Sequence, residues 1–310
     1  MRLPRLDPDA ADRVASFGDM PPMRTRGLAA VRAGLESAQR PDMPAMVGIE
    51  DLSVPGPAGP IPLRIYRPTI ESRSPVVVYL HGGGLVMGTN HSFEPLAREL
   101  AHASGAAVVA VEYRLAPEAP PPAQFEDAYA ATEWVSSHGD DLDLDVGRLA
   151  VVGDSAGGSL AAAVALAARD RNSPPLCAQV LLYPGLDRDL GAASITSMPD
   201  APMLRRDDIL YMHELVDGEA GSPHDPRRLS DAGVQTTLTR YPGVYHGFLM
   251  RSDSTARGRL AIAEIGALLR AKFAHLLNDS PDQRTPITLS EQALPTIESL
   301  TTEGEHHADR

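Results

Sequence analysis

Cysteine is almost absent from this 310-residue chain: Cys177 stands alone, so no internal disulfide can form. It sits beside the apolar run Val180-Leu181-Leu182, which marks it as a buried structural thiol rather than a nucleophile. Long hydrophobic runs are missing as well. No stretch reaches the roughly eighteen apolar residues of a membrane span, although an apolar fraction of 43% suffices for a large core. Positive charge is in deficit, with 28 Lys and Arg against 41 Asp and Glu and a formal net charge of −13. Such a surface repels phosphate backbones and gains nothing from anionic membranes, so nucleic acid is not an expected partner and small neutral molecules are. The opening residues Met1-Arg2-Leu3-Pro4-Arg5-Leu6-Asp7 lack the unbroken apolar core of a secretory signal, and a cytoplasmic location is expected. No internal repeat is visible.

What is present is an alternation of short apolar runs with alanine-rich helical patterns. That alternation predicts an α/β fold with a mostly parallel central sheet and helices on both faces. Strands are expected at Gly48 to Val54 and Ile61 to Tyr66, joined by the turn-forming Pro55-Gly56-Pro57-Ala58-Gly59-Pro60 and pairing antiparallel. Val76 to Leu80, Ala107 to Val111, Leu149 to Gly153 and Val180 to Tyr183 are apolar throughout, as strands covered on both faces must be. A further alternating strand is expected at Val234-Gln235-Thr236-Thr237-Leu238. Apolar residues at three- and four-residue spacing predict helices over Gly27 to Ala38, Phe93 to Ala103, Gln124 to Ser137, Gly157 to Asp170 and Ala256 to Leu277. Residues 1–45 are then expected to form cap helices and 46–277 the main domain. Within it, 187–225 are read as cap or loop, and the polar 278–310 as a disordered tail.

Three motifs carry chemistry. Gly153-Asp154-Ser155-Ala156-Gly157-Gly158 is a G-x-S-x-G sequence leaving an apolar strand and entering a helical pattern, which sets Ser155 on a sharp, strained turn as candidate nucleophile. His81-Gly82-Gly83-Gly84 follows the Val76 to Leu80 run, and its glycines expose backbone N–H groups; Gly82 and Gly83, with Ala156, are the expected oxyanion donors. His81 itself is read as a residue that fixes the loop. His246, in Tyr245-His246-Gly247-Phe248 just before the last helix, falls where a general base belongs in the chain order serine, acid, histidine.

These motifs together with Tyr113-Arg114-Leu115-Ala116-Pro117-Glu118 resemble the hormone-sensitive-lipase-like, or GDXG, esterases of the α/β-hydrolase type. The resemblance implies Ser155 as nucleophile, His246 as base, an N-terminal helical cap over the acyl pocket, and hydrolysis of short- to medium-chain carboxylic esters with neither metal nor organic cofactor. It leaves a homodimer open and does not fix acyl length.

The pattern breaks near Arg227 and Arg228. The resemblance calls for one more strand followed by a loop bearing the catalytic acid, and the stretch from Met212 to Gly233 reads instead as loop, with Leu215-Val216 its only adjacent large apolar residues. A deletion there removes the acid-bearing segment and leaves a gap of about 4.8 Å to be closed, which would shift His246. Asp225, which precedes a proline, is the first substitute for the acid, with Asp187 and Asp231 as alternatives. A protein that keeps the pocket and binds small molecules without turnover is the rival expectation.

Overall fold

Val76 to Leu80 has no polar side because both sides are covered. In a computed structural model describing residues 5–38, 42–186, 189–217 and 236–278, Val77 and Tyr79 face one apolar layer while Val76, Val78 and Leu80 face another. The strands are β1 (Gly48–Gly56), β2 (Gly59–Arg67), β3 (Ser74–Leu80), β4 (Ala107–Val111), β5 (Leu144–Asp154) and β6 (Ala178–Leu182). They form one six-stranded sheet in the order β1-β2-β4-β3-β5-β6. The β1–β2 and β2–β4 pairs are antiparallel and the remaining pairs are parallel.

The helices are α1 (Pro8–Ala15), α2 (Met23–Arg26), α3 (Leu28–Glu36), α4 (Glu94–Ser104), α5 (Ala123–His138), α6 (Ala156–Arg171), α7 (Ala193–Ser197), α8 (Arg206–Asp217) and α9 (Ala256–Asn278). Leu96 and Leu100 of α4 and Ile262, Ile265, Leu269 and Phe273 of α9 fill one layer. Ala128 and Val135 of α5 with Leu160 and Val164 of α6 fill the other. Parallel strands require such crossover helices, and both faces of β3 are thereby dry. Among the described residues no helix is long and apolar enough to cross a membrane. Met1–Ala274 forms one compact unit and His275–Arg310 a second, of which only the end of α9 is described.

Two expectations change. The strand expected from Val234 is absent over its described part: Thr236 to Leu238 is irregular, and Leu238 is 90% exposed. Two apolar residues in five give a strand little to bury. Val234 and Gln235 lie outside the described residues, as does nearly all of 278–310. The second change is at residues 212–217, read above as loop, which complete α8. Asp208, Met212 and Val216 recur every four residues and are buried, a helical period that a search for adjacent apolar pairs misses.

The α8 helix packs against the N-terminal helices. Met23, Val31, Val86, Ala116, Met212 and Val216 form a third apolar cluster. Asp208 Oδ1 accepts the Met23 N–H at 2.7 Å, and Glu214 holds Arg24 through two bonds of 2.8 Å. The first is buried and worth more than the exposed ion pair, because an unmet buried donor costs about 1–3 kcal/mol whereas surface pairs contribute about 0–1.

Candidate active site

Ser155 sits between the last residue of β5 and the first of α6 with φ 52° and ψ −120°, a backbone region that an L-residue enters only at a cost of about 1–3 kcal/mol. Close packing enforces it. A Cβ on Gly157 would stand 2.0 Å from the carbonyl oxygen of Leu80, so the helix can approach β3 this closely only with glycine there. The Ser155 N–H donates to the Leu182 carbonyl at 2.8 Å, which ties the turn to the end of β6.

The glycine loop lies beside this turn and is held by Asp154. Its Oδ1 accepts the Tyr79 hydroxyl at 2.6 Å and the Gly82 N–H at 2.8 Å. Gly82 therefore departs from the expectation: its N–H is spent on a buried carboxylate and is not free for an oxyanion. The N–H groups of Gly83, Gly84 and Ala156 make no hydrogen bond among the described residues. Gly83, at φ 107°, would place a Cβ 2.1 Å from the Met87 carbonyl oxygen, so no other residue fits. Burial pushes the Asp154 carboxyl up to about 7 against the pull of its two donors. His81 is stacked between Phe93 and Tyr113, at ring centroid distances of 5.1 and 4.4 Å, and burial pushes it down to about 4. A neutral, immobile ring of this kind supports the loop.

His246 Nε2 lies 2.8 Å from Ser155 Oγ. The expected displacement of the histidine is not observed, although the sheet ends, among the described residues, at β6. The loop is anchored from elsewhere: the Asp7 N–H donates to the Gly243 carbonyl at 2.8 Å, Tyr241 bonds Glu264 of α9, and Tyr245, Phe248 and Leu249 are buried in the core. Burial alone pushes His246 down to about 4; no described carboxylate opposes it.

A family profile described as alpha/beta hydrolase fold matches residues 77–227, ending where the sequence pattern breaks. The esterase LipI of Mycobacterium tuberculosis is 40% identical over 244 residues, 76% of this chain and 76% of that protein. The chain belongs to the hormone-sensitive-lipase-like group of the α/β-hydrolase family. An ethyl acetate hydrolase of Pseudomonas putida is 32% identical over 242 residues, covering 65% of the hydrolase described here and 76% of its own length. Among solved structures, the esterase of Pyrobaculum calidifontis superposes with a TM-score of 0.76 at 32% identity, covering 86% of this hydrolase and 98% of its own chain. A thermostable esterase from Pseudomonas putida ECU1011 reaches 0.81 at 27% identity over 88% and 99% of the two chains.

The three candidate acids of the hydrolase, Asp187, Asp225 and Asp231, lie outside the described residues. Among the described residues no group of three His, Cys, Asp or Glu side chains is placed to hold a metal ion. Two supports escaped the sequence reading. Arg32 of α3 donates to the carbonyl oxygens of Val86 at 2.7 Å and Ala116 at 3.0 Å and forms a bidentate pair with Glu118, clasping the glycine loop to the Tyr113–Glu118 segment. Its signal was the Arg32 and Glu118 pair of opposite charges, which are 86 residues apart and unlinked by any period. The other is Tyr183, whose ring stands 5.0 Å from the His246 ring.

Proposed function

We propose that the hydrolase cleaves small carboxylic esters of short to medium acyl length through an acyl intermediate on Ser155. The observation that carries this is the 2.8 Å contact between Ser155 Oγ on its strained turn and His246 Nε2. Curated carboxylesterase relatives support the reaction class. In the acylation step His246 Nε2 takes the hydroxyl proton as Oγ attacks the ester carbonyl, and then returns it to the leaving alcohol. Water repeats the sequence on the acyl-serine and releases the acid. The free N–H groups of Gly83, Gly84 and Ala156 receive the oxyanion, displacing Gly82 from the set expected from sequence. The cap assigned to residues 1–45, joined by α8, bounds the acyl side through Met212, which lies against Gly84.

Turnover is slow in this reading, because removing the orienting acid from a serine triad costs on the order of 10⁴-fold in kcat. The decisive measurement is hydrolysis of p-nitrophenyl butyrate by the parent and Ser155→Ala, with organophosphonate labelling of Ser155. Loss of turnover and label in the variant is expected; an equal rate in both proteins refutes the nucleophile. The unopposed burial of His246 favours one rival, a non-catalytic binder of small molecules. Thermal stabilisation by an ester that the parent never hydrolyses is the result that establishes it.

A further inference from the structure

An imidazole held at one nitrogen keeps a free torsion. His246 bonds Ser155 Oγ through Nε2, and no described group bonds its other nitrogen, so rotation about χ2 is limited only by what packs against the ring. Tyr183 packs there. The two ring centroids lie 5.0 Å apart with their planes at 64°, within the range of edge-on aromatic pairs. Phe248 backs Tyr183 at 5.8 Å, and Tyr241 backs Phe248 at 5.8 Å, so the contact is not free to slide away.

Tyr183 also belongs to the nucleophile's own scaffold. Its neighbour Leu182 accepts the Ser155 N–H at 2.8 Å, and the Gly185 N–H donates to the Ser155 carbonyl at 3.4 Å. Between these two anchors Tyr183 takes φ 36°, a value that a bulky residue rarely holds. Strain of this kind persists only where the surroundings over-determine it, and here it aims an aromatic ring at the base. The phenol hydroxyl lies near the Leu249 amide without meeting hydrogen-bond geometry, which leaves the ring rather than the oxygen as the working part.

We infer that Tyr183 is a positioning residue: its ring fixes the His246 imidazole toward Ser155, supplying by packing the orientation, though not the charge, that a carboxylate supplies by hydrogen bonding in a complete triad. This rests on the reading of Ser155 and His246 as nucleophile and base. The arrangement couples base to nucleophile through one short segment, so a change at Tyr183 reorients the imidazole.

The test compares Tyr183→Phe, Tyr183→Leu and Tyr183→Met with the parent and Ser155→Ala on p-nitrophenyl butyrate, with a thermal melt of each. Tyr183→Phe keeps kcat within about twofold, whereas Leu and Met lower it by about 10- to 100-fold at a KM within about twofold, because misorientation removes a transition-state interaction and leaves binding alone. Phosphonate labelling of Ser155 slows in the same proportion. A role confined to packing lowers the melting temperature of the Leu and Met variants and leaves kcat at the parent value, and that result overturns the inference. So does an equal loss in Tyr183→Phe, which assigns the effect to the hydroxyl. If Leu abolishes cooperative melting, Met decides, since it fills similar volume without a ring. Retained turnover in Ser155→Ala overturns the underlying reading and this inference together. Loss there with a parent-like kcat in the Leu and Met variants overturns positioning alone.

Discussion

Acidification leaves His246 neutral long after an ordinary histidine has taken a proton. Burial pushes it down to about 4 with no described carboxylate to pull it back, against about 6.5 for a free imidazole. The base works only when neutral, so the acidic limb of kcat/KM follows this titration. At pH 5.5 an imidazole of ordinary pKa is neutral in about one molecule in ten, and one near 4 in about 97 of a hundred. The expected profile therefore stays flat from neutral pH down to about 5 and reaches half its value near 4. A carboxylate on the second nitrogen works in the opposite direction, since it stabilises the imidazolium and moves the midpoint up. Rates of p-nitrophenyl butyrate hydrolysis, read at the isosbestic wavelength of p-nitrophenol, measure the midpoint directly. Asp154, pushed up to about 7, supplies a competing titration beside the site; Asp154→Asn removes it and leaves the His246 limb in place. A midpoint at or above 6 refutes the reasoning and shows that an acid reaches His246. Asp187→Asn, Asp225→Asn and Asp231→Asn then identify it, because the responsible substitution lowers the midpoint.

The remaining predictions concern the glycine loop and the buried carboxylate. Gly83→Ala loses far more kcat than Gly84→Ala, because a Cβ at Gly83 meets the fixed Met87 carbonyl oxygen at 2.1 Å whereas one at Gly84 meets the Met212 sulfur, the movable part of a side chain. Steady-state kinetics of the two variants check this, and Met212→Ala in the Gly84→Ala background recovers part of the loss. Asp154, raised from about 3.8 to about 7, contributes stability that is complete below about pH 3.8 and lost as pH rises through 7, on the order of 4 kcal/mol in all. Asp154→Asn therefore gains urea stability relative to the parent between pH 5 and pH 8.5, and an identical difference at both values contradicts the assignment.

The sequence disclosed the parts of this fold whose residues face one environment. β3 and β4 are apolar on both sides because helices cover both, and such runs have no competing explanation at their length. Ser155 was legible for a related reason: only a strand, a tight turn and a small-residue helix start accommodate Gly153 to Gly158. The error at 212–217 came from reading adjacency where the period was four, since Met212 and Val216 share a buried face of α8. The role of Gly82 was hidden because donor availability depends on where Asp154 points, 72 residues away. Tyr183 was hidden because it looked like the end of an apolar strand, and its φ of 36° is set by the anchors on either side of it.

The Arg32 clasp bears on how this protein can be recombined. One guanidinium from α3 satisfies two carbonyl oxygens and a carboxylate on segments that begin more than fifty residues downstream, so the N-terminal helices are not an exchangeable module. A chimera that imports another protein's first forty residues without an arginine at this place leaves the carbonyls of Val86 and Ala116 short of a donor, next to the glycine loop. Crossovers placed after Glu118 keep donor and acceptors from the same parent, and a library built with that boundary retains more folded members than one cut between α3 and β1.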